Sequence, residues 1–530
     1  MTKLVALGID GAPWELIDRF RETGSIPNIA GLIDGGVSAN LISSIPPVTA
    51  PAWKCYSTGK NPGKLGAYWW TNVDFAGRRI SFTNSTDFQS KDYWDYAAEA
   101  GLFSIVVNMP MSFPPPKEFN GLFVSGVPGL ENDAYTCPPE LKKDMERRYG
   151  YRITPRFDSF EVNPDGFLDS VGQLIDTRFD FVEDNLSRAA LVHLTVFYID
   201  DIQHFTWRQM KEGRGKHKDA IEDLWSQVDR RIGQLRQRIG EDHHFIISSD
   251  HGFTDFKGSF YINEWLKPKY LTVKRSEEMS GPSFGKRLYN LAQRTRVQGI
   301  VRRLMSEERR KRFQDRMQEE HLESASFFDW ETTRVFGSAE GPVYINRELV
   351  ADEGEYKTLR EGLVADLEAY KVPGTDEPVF ERVYRREEIY QGPFVDMAPD
   401  LVALPRLGYE ISSQVSDEGT VWVPGGAYHN QWTGIHRMEG ILVMNGPDVR
   451  EGATLDDAAI YDVAPTILAL LGLPIPDDMD GRVLAEAMRD PDRFRDLGTK
   501  TGGIKTQESH TYTPEEEKAL EDRLRSLGYM

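Results

Sequence analysis

The sequence predicts an α/β protein with a mostly parallel central sheet and helices on both faces. Short β-branched and apolar runs alternate with longer amphipathic stretches from the first residues onward. Several of those runs are apolar throughout, as strands covered on both faces must be. Some of them also end in acidic or histidine residues, at the carboxyl edge where open α/β sheets gather their ligands.

Leu4 to Ile9 is an apolar run closed by Asp10-Gly11, a strand followed by a turn signal. Ala50 to Thr58 reads as a helix whose approach is stiffened by Pro46, Pro47 and Pro51. Thr49 then falls at the N-cap, its hydroxyl beside free backbone N–H groups. That is either a plain cap or an anion site. Phe103 to Val107 is a buried strand. Gly166 to Leu186 supplies a crossover helix before the strand Leu191 to Ile199, and Lys218 to Ile239 supplies one before Phe245 to Ser249. Further on, Tyr356 to Tyr370 and Tyr461 to Leu471 are helical, while Leu401 to Leu404 and Ile441 to Met444 are strands.

Two stretches depart from this alternation. Between Lys267 and Met317 stand 15 Lys/Arg against five acidic residues, so the segment is strongly basic inside a chain whose net charge is −20. Its apolar residues, among them Leu288, Leu291, Val297, Ile300, Val301 and Leu304, recur at near-helical spacing. The segment is either a solvated helical pair or a basic lid drawing in an anionic substrate or a membrane surface. After Arg482 the chain turns polar through Gly502-Gly503. Thr513-Pro514-Glu515-Glu516 is then a capping box that opens a short terminal helix, Lys518 to Leu527, closed by Gly528. The expected organisation is a core of residues 1–265 and 325–485, a basic helical insertion at 266–324, and a polar linker with a terminal helix at 486–530.

Composition narrows the function classes. A chain of 530 residues with 40% hydrophobic and 28% charged residues is neither disordered nor fibrous. Its acidic balance argues against a general nucleic-acid binder, and no nucleic-acid partner is expected. Cys55 and Cys137 cannot build a disulfide framework, which points to a reducing compartment. No apolar run approaches the ~18 residues of a membrane helix. The opening Met1 to Asp10 meets a charge too early for a signal peptide, so a cytoplasmic location is expected.

The chemistry gathers at a few points. Asp10 alone is weak, because strand-to-helix turns use Asp as a cap. Asp200 and His204, directly after the Leu191 strand, stand four apart, so one helical turn aims both at one point. Asp250-His251-Gly252 follows the Phe245 strand, and His436 lies just before Ile441. A Thr49 alkoxide needs activation, and no His or Lys base adjoins it in sequence; metal coordination is the other route. Asp and His around a hard oxygen nucleophile suit zinc, with manganese as the alternative.

These motifs, in this order, resemble the alkaline phosphatase superfamily, in its type I phosphodiesterase/nucleotide pyrophosphatase branch. Within that branch the chain is similar to the prokaryotic predicted phosphohydrolase/phosphomutase group, through Asp250-His-Gly-Phe to Asn263-Glu-Trp, Tyr344-Ile-Asn and His436-Arg-Met-Glu-Gly. The resemblance covers residues 3 to 485 around the insertion and implies an alkaline phosphatase-like fold. It implies two divalent metal ions, one held by Asp10, Thr49, Asp250 and His251, the other by Asp200, His204 and His436. It also implies hydrolysis of a phosphate mono- or diester, in a phosphorylated small-molecule substrate, through a phosphothreonine at Thr49. The Ala50 N–H would stabilise an equatorial oxygen. Phosphomutase or phosphotransferase chemistry at the same site, and a silent metal-binding docking module, are the alternatives.

One region departs from the family pattern. Nucleotide pyrophosphatases carry a phosphate-contacting Asn about twenty residues after the nucleophile, near a His-Gly pair. Here Leu65 replaces the His and Trp70 the Asn, leaving Asn72 as a substitute. The sulfatase alternative fails, because Trp53 stands where those enzymes need Arg. Lys54 and Asp201 adjoin the site in sequence as supporting groups. His429 is either a surface residue or a substrate contact, and Tyr68, Trp69 and Trp70 are either core or an apolar wall.

Overall fold

The computed structural model describes residues 3–526 apart from 76, 78, 132–133, 157–159, 162, 273–327, 416–418, 426–431, 496 and 506–507. Most of the basic stretch at 267–317, His429 and Gly528 therefore lie outside the described residues.

Five parallel strands form the centre of a ten-stranded sheet, in the order His244–Ser248, Leu4–Ile9, Leu191–Val196, Ser104–Met109 and Gly121–Ser125. Every residue of Leu4–Ile9 and Leu191–Val196 is buried, including the polar His193 and Thr195 of the second, as strands covered on both faces must be. On one flank, Glu439–Asn445 runs antiparallel between His244–Ser248 and Val37–Ile42. On the other, Thr136–Cys137 closes the sheet antiparallel to Gly121–Ser125. The helices Pro164–Asn185 and Ala220–Ile239 are the crossovers predicted between parallel strands. The mostly parallel, alkaline phosphatase-like α/β fold is as expected.

Register places the site. Gly8 pairs with both Thr195 and Ser248, so three strands end level with one another. Asp10, Asp200 and Asp250 all follow that edge.

Leu401–Pro405 is a strand, but it belongs to a separate four-stranded antiparallel sheet with Val335–Gly337, Pro342–Ile345 and Phe380–Arg385. Among these strands the antiparallel pairing needs no long crossover helix, and a bare apolar run does not reveal its partner. This sheet has its own core around Phe260, Val343, Leu363 and Leu401. The helix Glu353–Glu368 packs on it.

The polar stretch after Arg482 lies along the main body. Gly503 N donates to Tyr96 Oη, Asn84 Nδ2 donates to the His510 carbonyl, and the Tyr512 ring stacks on Phe113 at 6.2 Å. Lys505 reaches Asp95 at 3.1 Å and Asp92 at 3.5 Å. Asp92 in turn pairs with the buried Lys54. The terminal helix is Pro514–Ser526, and its capping box forms as read: Thr513 N donates to Glu516 Oε2 at 2.7 Å, and Glu516 N donates to Thr513 Oγ1. Among the described residues, no helix is long and apolar enough to cross a membrane.

Candidate metal centre

The chain turns sharply after the first strand. Gly11 has φ +66°, and a Cβ there would stand 2.4 Å from Asp200 Oδ1, so glycine lets two chain segments meet. Gln203 Nε2 donates to the Gly11 carbonyl at 2.8 Å, and Ala12 N donates to Ser249 Oγ at the same distance. Asp10 is thereby clamped to the elements that carry Asp200 and Asp250.

Thr49 is the first residue of the helix Thr49–Thr58, with Val48 in the capping position. It thus sits one residue further into the helix than expected. Its Oγ1 lies 3.4 Å from His251 Nε2. Ala50 follows in the first turn, 1% exposed. One turn on, Trp53 Nε1 donates to Asp10 Oδ2 at 2.8 Å, and its ring lies against Gly8, where a Cβ would stand 2.3 Å from Cη2. The helix therefore both presents Thr49 and orients Asp10.

Asp200 and His204 sit in the first two turns of Ile199–Glu212, and their spacing brings His204 Nε2 to 3.1 Å from Asp200 Oδ2. His436, from the strand Gly434–Arg437, puts Nε2 at 3.2 Å from His204 Nε2 and 3.5 Å from Asp200 Oδ1. His204 Nδ1 faces the Gly434 carbonyl at 2.9 Å, and His251 Nδ1 faces that of Gly252 at 3.1 Å. Donating there leaves each Nε2 as a lone pair aimed into the site, the arrangement metal-ligating histidines use. His251 stacks on His436 with ring centres 3.8 Å apart.

Two groups result: Asp10 with Asp250 and His251, and Asp200 with His204 and His436. Within each, the candidate ligand atoms lie within 4.8 Å of one another, and all six residues are buried. Burial, then the charges of Asp250 and Asp200, push the Asp10 carboxyl well above its ordinary range. Burial and Asp200 do the same to Asp250. His251 is held well below the usual imidazole value by burial and then by His436. Asp200 moves the other way: burial opposes, but the two histidines beside it outweigh that. Among the described residues, Asp10 Oδ1, Asp200 Oδ1 and Asp250 Oδ2 accept no hydrogen bond although buried. Carboxylates are not left so unless a cation compensates them. Oxygen and imidazole donors converging on this spot fit a divalent metal.

The structure thus brings together Asp10, Thr49, Asp200, His204, Asp250, His251 and His436. Asn72 lies half-buried on the hairpin of Thr71–Asp74 and Arg79–Phe82. Trp69 and Trp70 are buried in the main core, Tyr68 donates to the Phe394 carbonyl, and Cys55 is a buried free thiol. Lys54 turns to Asp92, away from Thr49. Reading the sequence misses the parts of Trp53, Gln203 and Ser249. Gln203 alone carried a signal, sitting inside the Asp200–His204 turn.

The class that this fold and these paired clusters define is the phosphodiesterase/nucleotide pyrophosphatase-like hydrolases of the alkaline phosphatase superfamily. Comparison with known proteins agrees. The chain belongs to the type I phosphodiesterase/nucleotide pyrophosphatase family, whose model matches residues 4–435. Murine ectonucleotide pyrophosphatase/phosphodiesterase 5 superposes with a TM-score of 0.51 at 15% identity, covering 92% of this chain and 100% of its own. The human counterpart gives 0.50 at 14% identity, over 92% and 100%. Among curated proteins, 39 residues are 51% identical to the 2,3-bisphosphoglycerate-independent phosphoglycerate mutase of Laribacter hongkongensis (strain HLHK9). That stretch is 7% of this chain, and the chain spans 8% of that protein's length.

Proposed function

We propose that the protein hydrolyses phosphate mono- or diesters of small molecules through a phosphothreonine at Thr49, with two divalent metal ions at the paired clusters. The observation that carries this reading is the Thr49 hydroxyl at a helix start, 3.4 Å from His251 Nε2 and beside uncompensated buried carboxylates. Asp10, Thr49, Asp250 and His251 would hold one ion, and Asp200, His204 and His436 the other. The donor set favours zinc, with manganese as the alternative. Ions bound there supply the Lewis acidity that lowers the hydroxyl pKa and offsets charge on the phosphoryl oxygens.

The residues of the chain do the rest. Thr49 Oγ1 attacks phosphorus and the ester alkoxide departs in line; water then attacks the phosphothreonine and restores the hydroxyl. Trp53 holds Asp10 in place, and the Gly434 and Gly252 carbonyls keep His204 and His251 in the tautomer that faces inward. The Ala50 N–H, at the start of the helix, is a donor for an equatorial oxygen. Two free, buried cysteines suit a cytoplasmic setting. The short match to a phosphoglycerate mutase favours one second reading, in which an acceptor alcohol takes the phosphoryl group from Thr49.

The test is hydrolysis of p-nitrophenyl phosphate and bis-p-nitrophenyl phosphate with Zn²⁺ or Mn²⁺, comparing wild type with Thr49→Ala. A loss of about 10³-fold or more in the variant is expected. Equal rates in the two proteins sink the mechanism, and wild-type inertness on both esters moves the transfer reading forward.

A further inference from the structure

One short segment grips His204 through three successive residues. Thr433 N donates to the His204 carbonyl at 2.6 Å, and Thr433 Oγ1 donates to the same oxygen at 3.2 Å. The Gly434 carbonyl faces Nδ1 of that histidine at 2.9 Å. On the other side of Thr433 in sequence, the Trp432 indole lies flat on the imidazole, with ring centres 3.9 Å apart and planes 21° from parallel. The Phe253 ring stands against the same imidazole at 4.9 Å and 67°. Two residues past Gly434, on the strand Gly434–Arg437, the segment supplies His436.

The hydrogen bonds fix the backbone and the tautomer of His204. They leave the torsion that swings an imidazole about its Cβ–Cγ bond, which is intrinsically broad. Flat contact with a large ring removes that freedom, because turning the imidazole would break the stack or drive it into the indole. Trp432 therefore sets where Nε2 points, 3.1 Å from Asp200 Oδ2 and 3.2 Å from His436 Nε2. Its own surroundings are local. It is 5% exposed and belongs to a small cluster with Phe256, Ile435 and Phe205, apart from the two large cores. The other group of candidate ligands is oriented by different residues, Asp10 by Trp53 and His251 by the Gly252 carbonyl.

We propose that Trp432 is a positioning residue for one ion of the pair. It holds His204 ready to ligate, and so sets the affinity of the Asp200, His204 and His436 group while leaving that of the Asp10 group unchanged. The proposal rests on the two-ion reading of the site. A flat ring is the whole of the role: phenylalanine preserves a face for the imidazole, whereas leucine fills much of the space without one.

The experiment is Co²⁺ binding to full-length wild type, Trp432→Phe and Trp432→Leu, in competition with a chromogenic chelator, with the visible absorption bands of Co²⁺ recorded as each ion enters. Wild type is expected to take up two ions. In Trp432→Leu one ion should bind ~10–100-fold more weakly with its band altered, and the other should change by less than about threefold. Trp432→Phe should stay near wild type. Trp432→Met makes the same comparison should Trp432→Leu fold poorly. A leucine variant that weakens neither ion, or both alike, overturns the proposal, because Trp432 then only packs. A phenylalanine variant as weak as leucine overturns it as well. Wild type that takes up fewer than two ions overturns the two-ion reading itself, and the proposal with it, before any variant is made.

Discussion

Removing the Asp10 charge is expected to stabilise the metal-free protein and to weaken the metal-loaded one. In Asp10→Asn the amide keeps an oxygen for Trp53 Nε1, which donates to Asp10 Oδ2 at 2.8 Å in the wild type. The buried volume is nearly unchanged, so packing around the fully buried side chain survives. What disappears is a carboxylate that burial, Asp250 and Asp200 all disfavour. Relief of an uncompensated buried carboxylate is worth about 1–3 kcal/mol, more than the ~0.5 kcal/mol scatter of a good unfolding series. The sign with pH follows from the direction of the shift. A folded-state pKa raised above the unfolded ~3.9 means that the folded protein binds the extra proton, so its stability falls as pH rises through that window. The advantage of the variant is therefore absent below about pH 4, and grows toward neutral pH up to the raised folded value. Urea unfolding with chelator across pH 4–8, repeated with saturating Zn²⁺, measures both arms. With metal the order should invert, because the variant forfeits the binding free energy that stabilises the wild type. A variant equally destabilised with and without metal would refute the reasoning, since Asp10 would then serve the fold rather than a cation.

Three further outcomes follow from the same geometry. Gly11→Ala forces a side chain into a left-handed backbone and against Asp200 Oδ1, so unfolding should cost at least about 1–2 kcal/mol less, with metal affinity reduced; calorimetry measures both. Trp53→Phe removes the one hydrogen bond shown to Asp10 Oδ2 while retaining an aromatic ring. Metal affinity should drop ~10–100-fold in competition with a chromogenic chelator, and an unchanged affinity would mean that Trp53 only packs. Lys505→Met strips the half-buried Asp95 of its cation and leaves Asp92 to Lys54 and Ser57. A loss of about 1–3 kcal/mol is expected in urea unfolding, and a change below about 0.5 kcal/mol would show that the tail is merely draped on the surface.

Much of the candidate site was readable because parallel strands announce themselves. Leu4–Ile9 and Leu191–Val196 are buried on both faces, and the residue after such a run lies at the ligand edge by construction. The i, i+4 spacing of Asp200 and His204 needed only helix geometry. Pairing across hundreds of residues left no such mark. Leu401–Pro405 looks like any buried strand, and its place in the small antiparallel sheet depends on Pro342–Ile345 and Phe380–Arg385. Trp53 reads as a core residue in a helix, and only the folded chain shows its N–H meeting Asp10.

The order of strands in the central sheet also bears on how the protein is made. Leu4–Ile9 is paired on one side by Leu191–Val196 and on the other by His244–Ser248. Its neighbours emerge from the ribosome roughly 190 and 240 residues later, and His436 later still. At 5–20 residues per second, about 20–90 s separate the appearance of Asp10 from that of the last candidate ligand. Until Leu191–Val196 emerges the apolar strand Leu4–Ile9 has neither of these ladder partners, and the candidate ligands cannot all gather before His436 appears. A nascent chain of this topology is therefore a natural client for chaperones, and metal capture is deferred until His436 has emerged.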